Sequence, residues 1–272
     1  MSPSNSLRSE LIFRARVYAE AESLAYRLSY GENPTVCFEP RLEQHGNFEP
    51  RSYRAILANP AWRKRLDKVH TQGHRCLPKR EQGRWRELDT CSSSDALLMN
   101  VFCYPGMLRQ QSVRVLLGLE GQVAKPAFGY MPCVPLANGR VDRTEVDLRL
   151  GSLLAEAKLT EGDFQSVRKP AMLAYRDFLE IFDPEELPQT ESDFRSYQLL
   201  RNVLAAYASE SSFCLLTDAR RPDLISDWFA VMKCVKPIGL RTACKILTWQ
   251  ELASALPGKL QVFLAAKYGI QG

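Results

Sequence analysis

Between residues 144 and 161, apolar and polar side chains alternate with a period of two, and the alternation is interrupted at Gly151-Ser152. Alternation marks a β-strand with one face buried. Gly followed by a second free position is the preference of a two-residue type II′ turn. The stretch therefore predicts a hairpin. Closing it at Gly151-Ser152 sets Leu150 against Leu153, Leu148 against Ala155, Asp147 against Glu156 and Glu145 against Lys158. Side chains alternate faces along a strand. Val146, Leu148, Leu150, Leu153, Ala155 and Ala157 then share an apolar face. Glu145, Asp147, Glu156 and Lys158 share the other, with Arg149 and Leu154 nearer the turn. A slip of one residue would drive the charges into the core, so the pattern specifies its own register.

Elsewhere the spacing is helical or the runs are short. Residues 6–30 carry Leu11, Ile12, Val17, Tyr18, Leu24, Ala25 and Leu28 near helical spacing. Residues 31–46 read as a loop, with Asn33-Pro34 and Glu39-Pro40 as breakers. Over 91–108 the apolar residues run nearly all round, which predicts a helix buried between layers, capped from Ser92-Ser93-Ser94-Asp95 and ended by Pro105-Gly106. A short helix over 111–119 follows, with Glu120 at its end as an accessory acid or a solvent-facing terminus. Prolines limit 122–139 to strand and loop.

Beyond the hairpin, 170–182 is predicted helical and 183–188 a connector. Residues 190–208 predict a helix capped by Thr190, Ser192 or Asp193, with a stripe of Phe194, Tyr197, Leu200, Leu204 and Tyr207. An apolar strand over 212–217, a helix over 224–235 and a strand over 244–247 come next. Thr248-Trp249-Gln250-Glu251 is a capping box opening a helix toward Leu256, and 260–268 is a last helix. This order predicts an α/β or α+β layer architecture with a mixed sheet.

Charge adds a division to this picture. The net charge is +5, and residues 51–90 alone hold eleven Lys/Arg against four acids. Tyr53, Trp62 and Trp85 are interleaved there. Cations with aromatics can track a phosphate backbone and stack on bases, which makes Arg63, Lys64 and Arg65 candidate nucleic-acid contacts. The competing reading buries Trp62 and Leu66 as a helix stripe and leaves the arginines in solvent. On this basis residues 1–90 are expected as a helical, basic extension packing on a domain of residues 91–272.

His70 and His74 stand at i,i+4 with Cys76 close by, but no fourth zinc ligand is supplied, so basic loop residues are expected there. The eight cysteines are scattered without a CxxC, several inside apolar runs, which suits free buried thiols in a reducing, cytoplasmic compartment. The first residues lack a signal-peptide apolar core, and no 18-residue apolar span exists, so neither a leader nor a membrane partner is expected.

The hairpin's polar face poses a chemical problem. Directly opposed residues have Cβ atoms roughly 4.5–5.5 Å apart, and like charges there are destabilising. A divalent cation between Asp147 and Glu156 removes the conflict. Mg²⁺ commonly takes one or two carboxylates plus waters and substrate phosphate. Lys158, on the same face, can hold or polarise a water beside it. The competing reading is a plain charged sheet face with a weak Lys158–Glu145 surface pair.

Asp147, a turn, then Glu156-Ala157-Lys158 resembles the D…(D/E)xK signature of the PD-(D/E)xK restriction-endonuclease-like nucleases. Ser93-Ser94-Asp95-Ala96-Leu97 before Asn100-Val101-Phe102, Glu156-Ala157-Lys158-Leu159-Thr160-Glu161 and Tyr197-Gln198-Leu199-Leu200-Arg201-Asn202 are similar to a group of bacterial proteins of that kind. The resemblance spans residues 90–220. It departs in having Val146, not Pro, before Asp147. It implies a mixed central sheet flanked by helices and metal-dependent hydrolysis of phosphodiester bonds, with DNA as the expected partner.

By position, the resemblance makes Asp147 and Glu156 ligands of Mg²⁺ or Mn²⁺, with the Ala157 carbonyl as a further ligand. Lys158 would orient or activate the attacking water. Gln198 would orient a water or Lys158. Glu161 would be a further acid or a surface residue, and Arg201 would contact phosphate or pair with a carboxylate. A catalytically inactive nucleic-acid-binding protein of the same fold and a protein-interaction scaffold stay open as alternatives, as does a homo-oligomer.

Overall fold

A computed structural model describes residues 2–29, 34–41, 43–68, 86–121 and 125–272. They form two compact units, Met1–Pro126 with Trp249–Gly272, and Ala127–Thr248. The boundary expected after residue 90 falls inside the first unit, because helix Ser94–Phe102 packs with helix Pro50–Ala58.

The Ala127–Thr248 unit is built on a five-stranded mixed sheet. Its strands are β1 (Ala127–Tyr130), β2 (Val146–Leu150), β3 (Leu153–Ala157), β4 (Ser212–Thr217) and β5 (Cys244–Thr248), in the spatial order β5-β4-β3-β2-β1. β1, β2 and β3 are antiparallel neighbours, while β3–β4 and β4–β5 are parallel. The hairpin has the expected register, with Leu150 opposite Leu153 and Leu148 opposite Ala155. Of the two turn residues only Gly151 takes a positive φ, 60°, as a type II′ turn requires.

β3 lies between β2 and β4, and every residue of it is buried. A strand with a parallel neighbour is normally covered on both faces. The charged face of the hairpin is therefore covered on the β3 side, where Leu154, Glu156 and Lys158 are buried, while on the β2 side Asp147 and Arg149 are half-buried and Glu145 is exposed. Helix α1 (Tyr197–Ala208) packs on β3 and β4, and α2 (Pro222–Met232) packs on α1. Leu154, Phe164, Phe178, Phe194, Leu200, Phe213 and Trp228 belong to the core on this side. Each such side chain contributes roughly 1.5–3 kcal/mol by leaving water.

Two predicted helices of this unit are shorter than their patterns. α1 starts at Tyr197, not at residue 190, because Asp193–Arg195 pairs antiparallel with Ser166–Arg168 and Ser196 then turns with φ 60°. Thr190 closes a local turn with Asp193, so its side chain is not available as a helix cap. The helix expected over 170–182 divides into Lys169–Leu173 and Phe178–Ile181. Between them Ala174 and Arg176 bond to the backbone of Ala137 and Pro135, and that pairing outcompetes helix continuation.

In the Met1–Pro126/Trp249–Gly272 unit, helix Pro3–Ala21 buries Leu7, Leu11, Ala15 and Ala19, one per turn. It ends at Ala21, short of the predicted residue 30, because Tyr26–Leu28 pairs with Val36–Phe38. The loop expected over 31–46 thus contains a buried strand, Val36-Cys37-Phe38. Ser94–Phe102 is capped by Ser93 and buried from Asp95 to Phe102, as its apolar circumference predicted. Asn100 is tolerated inside because it bonds to Glu49 N, Asn47 O and Ala96 O. No helix among the described residues is long and apolar enough to cross a membrane.

Candidate active site

The β2–β3 ladder ends at the Leu148–Ala155 pair. The next residues in register are Asp147 and Glu156, and here the strands exchange a side-chain bond instead: the Ala157 N–H donates to Asp147 Oδ2 at 2.8 Å. β3 then continues its parallel pairing, the Lys158 N–H donating to Leu216 O at 2.8 Å. Glu156 and Lys158 thereby leave the sheet on one face, two residues apart and both buried.

Their side chains meet. Lys158 Nζ lies 3.0 Å from Glu156 Oε1, and Asn202 Nδ2 donates to Glu156 Oε2 at 3.0 Å. The ammonium also lies 5.8 Å from the Phe164 ring centroid. Burial by itself would lower the Lys158 pKa. The carboxylates of Glu156, Glu161 and Asp147 outweigh burial and hold it above the ordinary lysine range. The arrangement therefore favours the charged form of Lys158. The surface pair expected with Glu145 is replaced by the pair with Glu156, since Lys158 is buried and Glu145 exposed.

Glu161 accepts the Leu159 N–H at 2.6 Å, so its carboxylate folds back on the end of the motif. Arg221 secures the same segment. It is fully buried, with Nη1 donating to Leu159 O at 2.9 Å and Nη2 to Gly162 O at 3.2 Å, while Asp223 neutralises it. Nothing in the loop-like Asp218–Pro222 run distinguished the buried Arg221 from the half-buried Arg220 beside it. Asn202 carried a weak signal, because i,i+4 spacing puts it on the face of Gln198.

α1 supplies the remaining groups. Gln198 is half-buried, its N–H donates to Phe164 O, and its Oε1 is buried without a hydrogen-bond partner. Arg201, a candidate phosphate contact, is buried, and its guanidinium is engaged within the protein. Nη1 donates to Thr144 O at 2.8 Å, and Nη2 to Glu145 O and Asn202 Oδ1, both at 2.7 Å.

The basic candidates belong to the other unit. Arg63 and Lys64 are exposed on helix Pro60–Arg65. Arg65 is drawn into a charge cluster, 3.0 Å from Asp95, which Lys68 also contacts. Tyr53 is no stacking platform: it is buried and stacks on Phe48. Trp62 is half-buried, its indole N–H bonded to Pro126 O. Glu120 is exposed. His70, His74, Cys76 and Trp85 lie outside the described residues.

No group of three His, Cys, Asp or Glu side chains arranged to hold a metal ion occurs among the described residues. The hairpin instead offers two carboxylates, Asp147 and Glu156, with Ala157 between Glu156 and Lys158. An all-oxygen set of this size suits Mg²⁺ or Mn²⁺, whose shell is usually completed by water and substrate phosphate. It lacks the sulfur or imidazole that zinc selects. Three carboxylates around one ammonium also leave a negative surplus that a divalent cation fits.

A family model described as "Restriction Endonuclease associating with ARP" matches residues 18–269. No curated protein and no solved structure matches the chain significantly.

Proposed function

The chain belongs to this family of restriction endonucleases associating with ARP, and on that premise we propose that it hydrolyses phosphodiester bonds of DNA with Mg²⁺ or Mn²⁺. Asp147 and Glu156 hold the metal, with the Ala157 carbonyl as a third ligand. When bound, such a metal lowers the pKa of a water and polarises a phosphoryl oxygen. The protein's own groups do the rest. Lys158, kept charged by its carboxylate neighbours, donates hydrogen bonds to the attacking water and to the non-bridging phosphate oxygens. A fixed cation at the point where charge develops stabilises the transition state without reorganisation. Gln198 Oε1, a buried acceptor lacking a partner, accepts a hydrogen bond from the water and aims it. As the water oxygen bonds to phosphorus, the bond from phosphorus to the leaving sugar oxygen breaks; the water's proton passes to solvent, and solvent water protonates the leaving oxygen.

The observation that carries this reading is the convergence of Glu156 and Lys158 at 3.0 Å within the field of Asp147 and Glu161. Charge suggests a division of labour. The Ala127–Thr248 unit holds 15 Lys/Arg against 17 Asp/Glu, whereas the other unit holds 21 against 14. Attraction to DNA is therefore proposed to reside in the latter, with Arg63 and Lys64 among its contacts. Cytoplasmic residence, and an association with ARP as the family description words it, complete the proposal.

The test is cleavage of plasmid and single-stranded DNA with and without Mg²⁺ or Mn²⁺. Wild type should cut only with metal. Asp147→Ala, Glu156→Ala and Lys158→Ala should each abolish cutting, and unchanged cleavage in all three would sink the site. One observation favours a rival: both Glu156 oxygens already have protein partners. A DNA-binding protein of this fold without turnover would show salt-dependent binding and no metal-dependent cleavage.

A further inference from the structure

Arg201 reaches both carboxylate-bearing strands from one guanidinium. Two of its bonds, to Thr144 O and Glu145 O, hold the chain immediately before β2, three and two residues ahead of Asp147. Its third, to Asn202 Oδ1, leads through Asn202 Nδ2 to Glu156 Oε2. Side-chain amides offer oxygen on one side and N–H₂ on the other, and the two are easily exchanged. Arginine has no acceptor and an ionised carboxylate has no donor. Only one orientation of the Asn202 amide satisfies both neighbours, and Arg201 enforces it.

We infer that Arg201 and Asn202 form a positioning relay that sets the separation and orientation of Asp147 and Glu156 for a divalent cation. The inference rests on the proposed metal site and adds to it the residues that build its geometry. Arg201 touches neither metal nor DNA in this scheme. Its burial and its three internal acceptors place it behind the site. Asn202 acts through Glu156 alone. Partners standing one bond behind a metal ligand typically alter affinity or activity by about 10–100-fold when removed.

Lysine in place of Arg201 can meet one or two of the three acceptors but not all from one planar fork. Arg201→Lys should therefore fall between wild type and Arg201→Met. Asn202→Asp keeps an acceptor for Arg201 but sets a second carboxylate against Glu156, so the bond to Glu156 is lost while that to Arg201 stays. A role confined to stability would change thermal unfolding and leave the Mn²⁺ affinity of the folded variants at the wild-type value.

The experiment is Mn²⁺ titration by calorimetry of the full chain, with thermal unfolding to select folded variants and a side-chain amide NMR spectrum of Asn202. Arg201→Met and Asn202→Ala should each weaken Mn²⁺ about 10–100-fold, as expected for outer-shell partners. Their double variant should lose little more than Arg201→Met alone, which already removes both arms. Arg201→Met should also move the Asn202 amide resonances with no metal present. Where Arg201→Met does not fold, Asn202→Ala and Asn202→Asp carry the test alone. Wild-type affinity in folded Asn202→Ala, or fully additive losses in the double variant, would overturn the relay while leaving the metal site standing. Absence of Mn²⁺ binding in wild type overturns both, and is told apart because it is seen before any variant.

Discussion

Lys267 gives the sharpest thermodynamic prediction. It is fully buried on helix Gly258–Tyr268, with Nζ 3.3 Å from Cys91 O, 3.8 Å from the Tyr268 ring centroid and 5.6 Å from that of Phe38. Burial pushes its pKa down to about 7, outweighing the opposing field of Cys91. In the unfolded chain a lysine titrates near 10.4. Between those values the unfolded state binds the extra proton, so stability rises with pH. Below about 7 both states are charged and the full penalty stands. Above about 10.4 both are neutral and it vanishes. Three to three and a half units at about 1.4 kcal/mol each give a penalty of about 4–5 kcal/mol. That is a large share of the 5–15 kcal/mol by which a typical domain is stable.

Lys267→Met keeps most of the volume and removes the charge. Loss of the Cys91 bond and the ring contacts gives back about 1–3 kcal/mol. A net stabilisation of about 1–4 kcal/mol is therefore expected at pH 6. It should shrink through zero and reverse as pH approaches 10. Urea denaturation of both proteins at pH 6, 7.5, 9 and 10 measures it. A difference that does not change with pH would refute the reasoning, because the hydrogen bond and the packing carry no such dependence.

Three further outcomes follow from the same structure. Since the carboxylates hold Lys158 above the ordinary lysine range, the metal-free protein should keep its Lys158 ammonium protonated up to pH 10 in side-chain NMR, and titration of that ammonium below pH 10 would contradict it. Arg221→Met leaves Leu159 O and Gly162 O without their donor, while Asp223 is exposed enough to be solvated; it should cost about 1–3 kcal/mol in urea denaturation, and no measurable effect would deny that Arg221 secures this segment. Gly269 ends its helix at φ 65°, where an added Cβ would lie 2.6 Å from Arg14 Nε, so Gly269→Ala should destabilise by about 1 kcal/mol or more in thermal unfolding.

What could be read in advance depended on how local each determinant is. The hairpin register was legible because alternation and one glycine specify it without help from elsewhere. Helix Ser94–Phe102 was legible because its apolar residues run all round. The start of α1 was not, since three-residue strands such as Asp193–Arg195 show no period and form only by meeting Ser166–Arg168. Tyr26–Leu28 and Val36–Phe38 were missed for the same reason. At the site, Asp147, Glu156 and Lys158 stand close in sequence and their chemistry was explicit. Arg201 looked like a phosphate contact because an arginine's partners depend on its depth, and depth comes from packing. Arg221 was hidden by the polar residues around it.

The place of β3 between an antiparallel and a parallel neighbour bears on when the site comes into being. Asp147 and Glu156 are brought side by side by a two-residue turn, one of the cheapest closures a chain can make. Lys158 is anchored on Leu216, and Glu156 on Asn202, only after more than forty intervening residues have crossed over. Non-local pairing of that kind is the slow part of folding. A nascent or nicked chain can thus hold its two carboxylates together and still lack the groups that set them. The proposed site is therefore complete only once α1 and β4 have docked on β3.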